Sequence, residues 1–277
     1  MKKTAASLGL TALVLATTSS AWAHGGDDDN HLSFGSDGHQ CEVSLNYDVA
    51  VEPKKLTISE SKKEVYRIEL GELYIDGKQV SLSNQQQVIV NQYANEVSAQ
   101  LPEVIDLVHD AVDIASTAVS MALTPLLGDT SGAKIDEMMA SLSDRIDNVA
   151  YQHGDKFYLG ATESSLEDTF GQEFEQEMEQ LVQSSIGSMM MTLGSQMMSG
   201  DGDSFEQKME SFAAKMDNVG KDIEVQLEQQ SADLEARADK LCDNFQQLVA
   251  LETKLRAQVP ELEKYPLIKA PTQQLLE

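Results

Sequence analysis

Between Phe205 and Val259, apolar residues return at steps of four and three. Phe205, Met209, Phe212, Met216, Val219, Ile223 and Leu227 lead into Ser231, Leu234, Ala238, Leu241, Phe245, Leu248, Glu252, Leu255 and Val259. A helix with about 3.6 residues per turn keeps such a seam on one face. The run of fours that ends at Ser231 reads as one stutter in a heptad pattern. At about 1.5 Å per residue, an unbroken helix here is a rod of roughly 80 Å. Apolar surface of that length must be covered, so the rest of the chain is organised around it. Ser231 and Glu252 are the polar members of the seam.

The start of the chain reads as an address rather than as fold. Lys2 and Lys3 precede an apolar core from Leu8 to Ala16, and Ala21-Trp22-Ala23 is a small-x-small cleavage site. Residues 1–23 are therefore expected to be a secretory signal, and the mature chain exported. Removing the two lysines takes the formal charge from −26 to about −28. Phosphate backbones and anionic lipid surfaces would repel such a chain, which argues against nucleic acid as a partner. Aromatic residues make up 5% of the sequence, which suits helices packed by Leu, Met, Val and Ala.

Two cysteines follow the cleavage site, Cys41 and Cys242. An even count in an exported chain usually pairs. An internal bond would close a loop of roughly 200 residues, for which chain entropy gives at most about 5 kcal/mol. A bond between two chains in a coiled-coil dimer is the rival pairing. No Cys-x-x-Cys redox motif is present.

Residues 24–39 are rich in Gly, Asp and His and are expected to be an acidic, disordered leader. His24, Asp27, Asp29, His31 and His39 are its candidate metal ligands, although their spacing matches no closed site. From 40 to 82 the period changes to two. Cys41, Val43, Leu45 and Tyr47 alternate with polar residues, and Leu56-Ile58 and Val65–Leu70 read as further short strands. Asp76-Gly77, between Leu73-Tyr74-Ile75 and Lys78-Gln79-Val80, marks a hairpin with a type I′ turn. Three or four strands are expected there, a sheet too small to stand without helices.

Residues 83–260 read as helical. Ser83 caps a helix that Pro102 interrupts and that Pro125 and Gly128 end. Ile135, Met138, Met139, Leu142, Ile146 and Val149 line the next, closed by Gly154, and Phe157-Tyr158-Leu159 suits a brief strand returning to the sheet. Ser164-x-x-Glu167 reads as a capping box opening one helix to Met198. After the loop Gly200–Asp203 the seam helix begins, with Gly220 as a candidate bend and Pro260 as its end. Residues 261–277 are expected to be a loose tail.

At the hairpin and the cysteines, the chain resembles the YggN-like periplasmic proteins, a bacterial family of unknown function. The matching marks are the Cys41-Glu42-Val43 strand and the hairpin Tyr74-Ile75-Asp76-Gly77-Lys78-Gln79 with Ser81-Leu82. The Tyr93 helix leading to Leu101-Pro102, and the late cysteine before Leu248–Glu252, match as well. The acidic leader and the Met-rich stretch depart from the pattern. The resemblance implies a periplasmic location and a Cys41–Cys242 bond, and it carries over no catalytic residue.

Gln180–Gly200 holds no charged residue. Met189, Met190, Met191, Met197 and Met198 stand there among serines and glycines. Its small residues would let another helix approach closely, and the uncharged, Ala-rich stretch Ile114–Gly128 is a suitable neighbour. The alternative is an exposed, plastic apolar surface of the kind Met-rich helices offer to varied partners. A thioether site for Cu(I) is the third reading, but contiguous methionines point around a helix rather than to one ion. The stretch is too polar for a membrane span. His109 shares a helical face with Asp106 and Asp113, as an ion-paired histidine would. No Gly-x-Ser-x-Gly, phosphate loop or His-Glu-x-x-His motif occurs, and no catalytic residue or cofactor is expected.

The expected fold is thus α+β, mostly α: a small N-terminal antiparallel sheet followed by a bundle of long helices with heptad-like seams. The expected function is a non-enzymatic binding or chaperone-like role in the envelope, with other envelope proteins or a second copy as partner. A divalent-metal or copper-binding protein and a self-associating coiled-coil protein are the alternatives.

Overall fold

The computed structural model describes residues 32–34, 41–127, 129–198 and 205–269. Its largest sheet has seven antiparallel strands. Five are consecutive in the chain: β3 (Asp48–Glu52), β4 (Lys55–Glu60), β5 (Lys63–Glu69), β6 (Glu72–Ile75) and β7 (Lys78–Gln79), after β1 (Leu32–Phe34) and β2 (Cys41–Leu45). Two more, β8 (Ala150–His153) and β9 (Lys156–Leu159), return from far along the sequence. They complete the order β7-β6-β5-β4-β3-β9-β8, with β9 on β3 at Val49↔Leu159 and Val51↔Phe157. A second, three-stranded sheet has the order β1-β2-β10, where β10 is Ile268–Lys269.

This corrects the expected small sheet and helical bundle. The turns explain part of the difference. Asp76-Gly77 forms the expected turn with positive φ at both residues, and Leu70-Gly71 and Ser61-Lys62 do the same. Two successive positive φ values match the twist of a tight hairpin, which Asn and Gly favour. Ser61-Lys62 carries no such signal, so the strands around it run closer together than their residues advertise. The remainder is non-local: β9 returns to the sheet as expected and pairs with β3, whereas its hairpin partner β8 follows directly on a helix and carries no separate local signal.

The helices are α1 (Asn84–Leu127), α2 (Asp129–Val149), α3 (Glu163–Phe170), α4 (Gln172–Met198) and α5 (Phe205–Gln258). Ser83 caps α1 as expected: its Oγ accepts from Gln86 N, and Gln86 Oε1 accepts from Ser83 N. Pro102 does not interrupt α1. Leu101, Val104 and Ile105 around it are buried at 4% exposure or less, and that burial outweighs the missing N–H. α1 and α5 run antiparallel. Gln86 Nε2 donates to Gln258 O, Asn244 Nδ2 to Gln100 Oε1, and Arg237 to Asp110, three rungs in opposite chain directions.

The seam of α5 meets that partner only over part of its length. Ala238, Leu241, Phe245, Leu248, Glu252, Leu255 and Val259 are buried, whereas Ser231 is exposed and Val219 and Ile223 are half-covered. The buried part joins one core with Ile89, Val90, Tyr93 and Val97 of α1 and with Leu56, Ile58, Tyr66, Ile68 and Leu73 of the large sheet. α5 continues through Gly220, the candidate bend.

Three further expectations change. Gly154 sits in the β8–β9 turn at φ 62°, because α2 ends at Val149 and runs straight into β8. The stretch from Ser164 to Met198 is two helices, not one. The tail is not loose where it is described: Pro260–Leu262 forms a 3-10 turn, β10 pairs with β2, and Leu262, Leu267 and Ile268 are buried. In the leader, Leu32–Phe34 pairs with β2, and the loop Gly200–Asp203 lies outside the described residues.

Candidate interaction surface

The uncharged Met-rich stretch forms the second half of α4, and three devices, two polar and one steric, decide where that helix points. The first is Asp48, at the start of β3 and fully buried. One of its oxygens accepts from Ala161 N, Thr162 N and Thr162 Oγ1, all at 2.9 Å, and the other from Ser165 Oγ at 2.7 Å. A buried carboxylate is tolerated when its lone pairs are used this fully. The effect is to fix the start of α3 against the sheet. Thr162, rather than Ser164, is the residue that caps α3.

The second device is Gly171. A Cβ there would lie 2.5 Å from the carbonyl oxygen of Glu167. Only glycine lets the chain pass that close, so α3 stops and α4 leaves in a new direction. The third is Arg145 of α2, which donates to Thr169 O at 2.8 Å and to Glu177 Oε2 at 2.7 Å. Its guanidinium also lies over the ring of Phe174, 5.2 Å from the centroid, and Phe174 packs edge-on against Phe170. The first turns of α4 are thereby held from one side.

Beyond those turns one face of α4 is open. Val182, Ile186, Met190 and Met191 are exposed at 51%, 53%, 72% and 78%. α4 does touch α1, but these four side chains are exposed rather than buried between helices. Gly187 and Gly194 have nothing within 4 Å of an added Cβ, so their smallness admits no neighbouring helix. Of the named methionines, Met190 and Met191 are on the surface; the side chains of Met189, Met197 and Met198 lie outside the described residues. Sequence reasoning missed Val182 and Ile186. Their spacing with Met190 was the available signal, since steps of four keep all three on one face.

The remaining candidates resolve into supports. His109 Nε2 lies 2.9 Å from Ala150 O and Nδ1 3.6 Å from Asp147, so its partners come from α2 and β8 rather than from Asp106 and Asp113. Glu252, the seam's polar member, accepts from Leu267 N at 2.5 Å, Ile268 N at 3.2 Å and Tyr93 Oη at 3.3 Å. Tyr93 in turn lies 3.5 Å from Tyr66 through their hydroxyls. Burial pushes the Glu252 carboxyl up, against the two amides and Tyr93 that favour its ionised form. Desolvation likewise raises both tyrosines. This chain of groups is closed to solvent and fastens β10 to the core.

His24, Asp27, Asp29, His31 and His39 lie outside the described residues. Among the described residues no group of His, Cys, Asp and Glu is arranged to hold a metal ion. No described helix is long and apolar enough to cross a membrane. An open cleft of about 710 Å³ lies between the Pro53-Lys54 and Leu70-Gly71 turns and Asn91, Asn95 and Ser98 of α1. Asn91 closes against Gly71, where a Cβ would lie 2.8 Å from Asn91 Oδ1.

A family model described as a protein of unknown function (DUF2884) matches residues 41–268. No curated protein and no solved structure matches the chain. The matched span runs from the first residue of β2 to the first of β10, and so takes in the whole large sheet and all five helices. The chain belongs to the DUF2884 family of proteins of unknown function.

Proposed function

We propose that this protein is a non-enzymatic, chaperone-like binding protein of the periplasm, within the YggN-like group, and that the outer face of α4 is its binding surface. The observation that carries the reading is the exposure of Val182, Ile186 and Met190 along one face of a helix whose first turns Arg145 holds from the other side. Exposed apolar residues standing singly are ordinary; a stripe on one helix face marks a docking site. Methionine suits partners of varied shape, because its side chain is long, unbranched and polarisable. The secretory signal expected at residues 1–23 supports the compartment. An internal Cys41–Cys242 bond belongs to the same reading. It is supported by the contact of β2 with α5 and by the lack of a free cysteine among the described residues.

The test is suppression of aggregation. The full mature chain is mixed with a chemically denatured model protein as that protein is diluted into buffer, and light scattering is followed. Wild type should suppress scattering near equimolar ratio. Ile186→Ser with Met190→Ser should lose at least half of that suppression while keeping its far-ultraviolet circular dichroism. Equal suppression by the double variant would remove α4 from the reading.

A further inference from the structure

The outer face of α4 is not apolar from end to end. At about 100° per residue, Glu175, Glu179, Val182, Ile186 and Met190 fall within an arc of roughly 80°. All five are exposed. Going along the helix, two carboxylates come first and three apolar side chains follow. The four acids of α4 are Glu173, Glu175, Glu177 and Glu179, and the helix carries no Lys or Arg. Arg145 takes Glu177, which points to the other side. Glu179 accepts the side-chain amide of Gln183 at 3.0 Å, a neutral donor that leaves its charge in place.

Resting on the reading of α4 as a binding surface, we infer that its partner is a cationic amphipathic polypeptide segment: apolar residues for Val182, Ile186 and Met190, with Lys or Arg beside them for Glu175 and Glu179. Charge complementarity selects this occupant over the others. A second copy of a chain with formal charge −26 would bring like charge to the same face. An anionic membrane would meet the same repulsion at Glu175 and Glu179. A segment whose basic residues lie to one side of its apolar ones satisfies both halves of the stripe in a single orientation, so charge also sets its direction along α4.

The experiment uses the full mature chain and three labelled synthetic peptides of equal length: Leu with Lys, Leu with Gln, and Leu with Glu, each patterned as an amphipathic helix. Fluorescence anisotropy at physiological salt measures binding. Wild type should bind the Leu/Lys peptide at least about tenfold more tightly than the Leu/Gln peptide, with Leu/Glu weakest. Glu175→Gln with Glu179→Gln should cut the preference for Leu/Lys by about three- to tenfold and leave Leu/Gln binding unchanged. Glu224→Gln with Glu228→Gln, an exposed pair on α5, controls for overall charge and should leave the preference intact.

If the α5 pair erodes the preference as much as the α4 pair, or if the α4 pair leaves it whole, the charge selection is overturned. Ile186→Ser with Met190→Ser addresses the underlying reading separately. Its loss of binding to all three peptides supports α4 as the surface; undiminished binding overturns that reading together with this one.

Discussion

A carboxylate in an apolar helical seam destabilises a core unless donors reach it. Glu252 has such donors in Leu267 N, Ile268 N and Tyr93 Oη, and its worth lies in holding the end of the chain. Glu252→Leu should therefore be destabilising although it restores the seam, by about 1–3 kcal/mol, because two buried amides lose their acceptor. Glu252→Gln keeps a carbonyl oxygen there and should be far milder. The pH dependence separates the two forms of the argument. Burial holds the folded carboxyl above its ordinary value near 4.5. The folded state then binds the proton more tightly than the unfolded chain does, so this residue's contribution is full below pH 4.5 and is lost as pH rises through the folded value. Urea unfolding of wild type across that window should show the downward slope with rising pH, and Glu252→Gln should flatten it. Glu52 acts in the opposite sense. Lys156 and Lys55 hold it down to about 2, and its contribution is lost as pH falls from 4.5 toward 2. That Glu252 is polar could be read from the seam; that its partners come from the tail could not, since Leu267 and Ile268 announce nothing about which carboxylate they will meet.

At the scale of elements, α3 and α4 show how a single residue directs a surface. Gly171 is the break between them, and an added methyl group there would meet backbone rather than a yielding side chain. Gly171→Ala should cost about 1–3 kcal/mol and should raise hydrogen exchange in 163–180 while leaving the strands of the large sheet protected. Protection unchanged in those helices would show that the break does not depend on glycine. Much of this level was legible: the helix starting at Asn84, the Asp76-Gly77 hairpin, the return of Phe157–Leu159 to the sheet and the end of α5 before Pro260 all carry strong local signals. The size of the sheet was not, for its turn at Ser61-Lys62 and its distant edge strand at 150–153 depend on tertiary pairing. The candidate surface was half legible. The Met-rich stretch stood out, but composition alone favoured burial, and the exposure of Val182, Ile186, Met190 and Met191, with open space at Gly187 and Gly194, reverses that for those residues.

For the whole molecule, the cross-link is the largest single test. The proposed Cys41–Cys242 bond ties the second strand to the last long helix. Native mass spectrometry should give a monomer two mass units lighter than its reduced form, and Cys41→Ala with Cys242→Ala should lose about 2–5 kcal/mol of stability. A reductant-sensitive dimer would instead place the bond between chains.

The strand β2 lies between β1 and β10, and β3 lies beside β9, so two of the earliest segments made have neighbours among the later ones. During synthesis, β4 to β7 can pair as successive hairpins as they emerge, whereas β2 must wait for Ile268. The order of completion is therefore not the order of production. Until Ile268 and Lys269 are released, the edge of β2 at Ser44 and Leu45 has no mate, although its other edge already pairs with β1. A chain stopped short of Leu267 would leave Glu252 without its amide donors and the edge of β2 bare together, a lesion that proteases and chaperones can recognise at once.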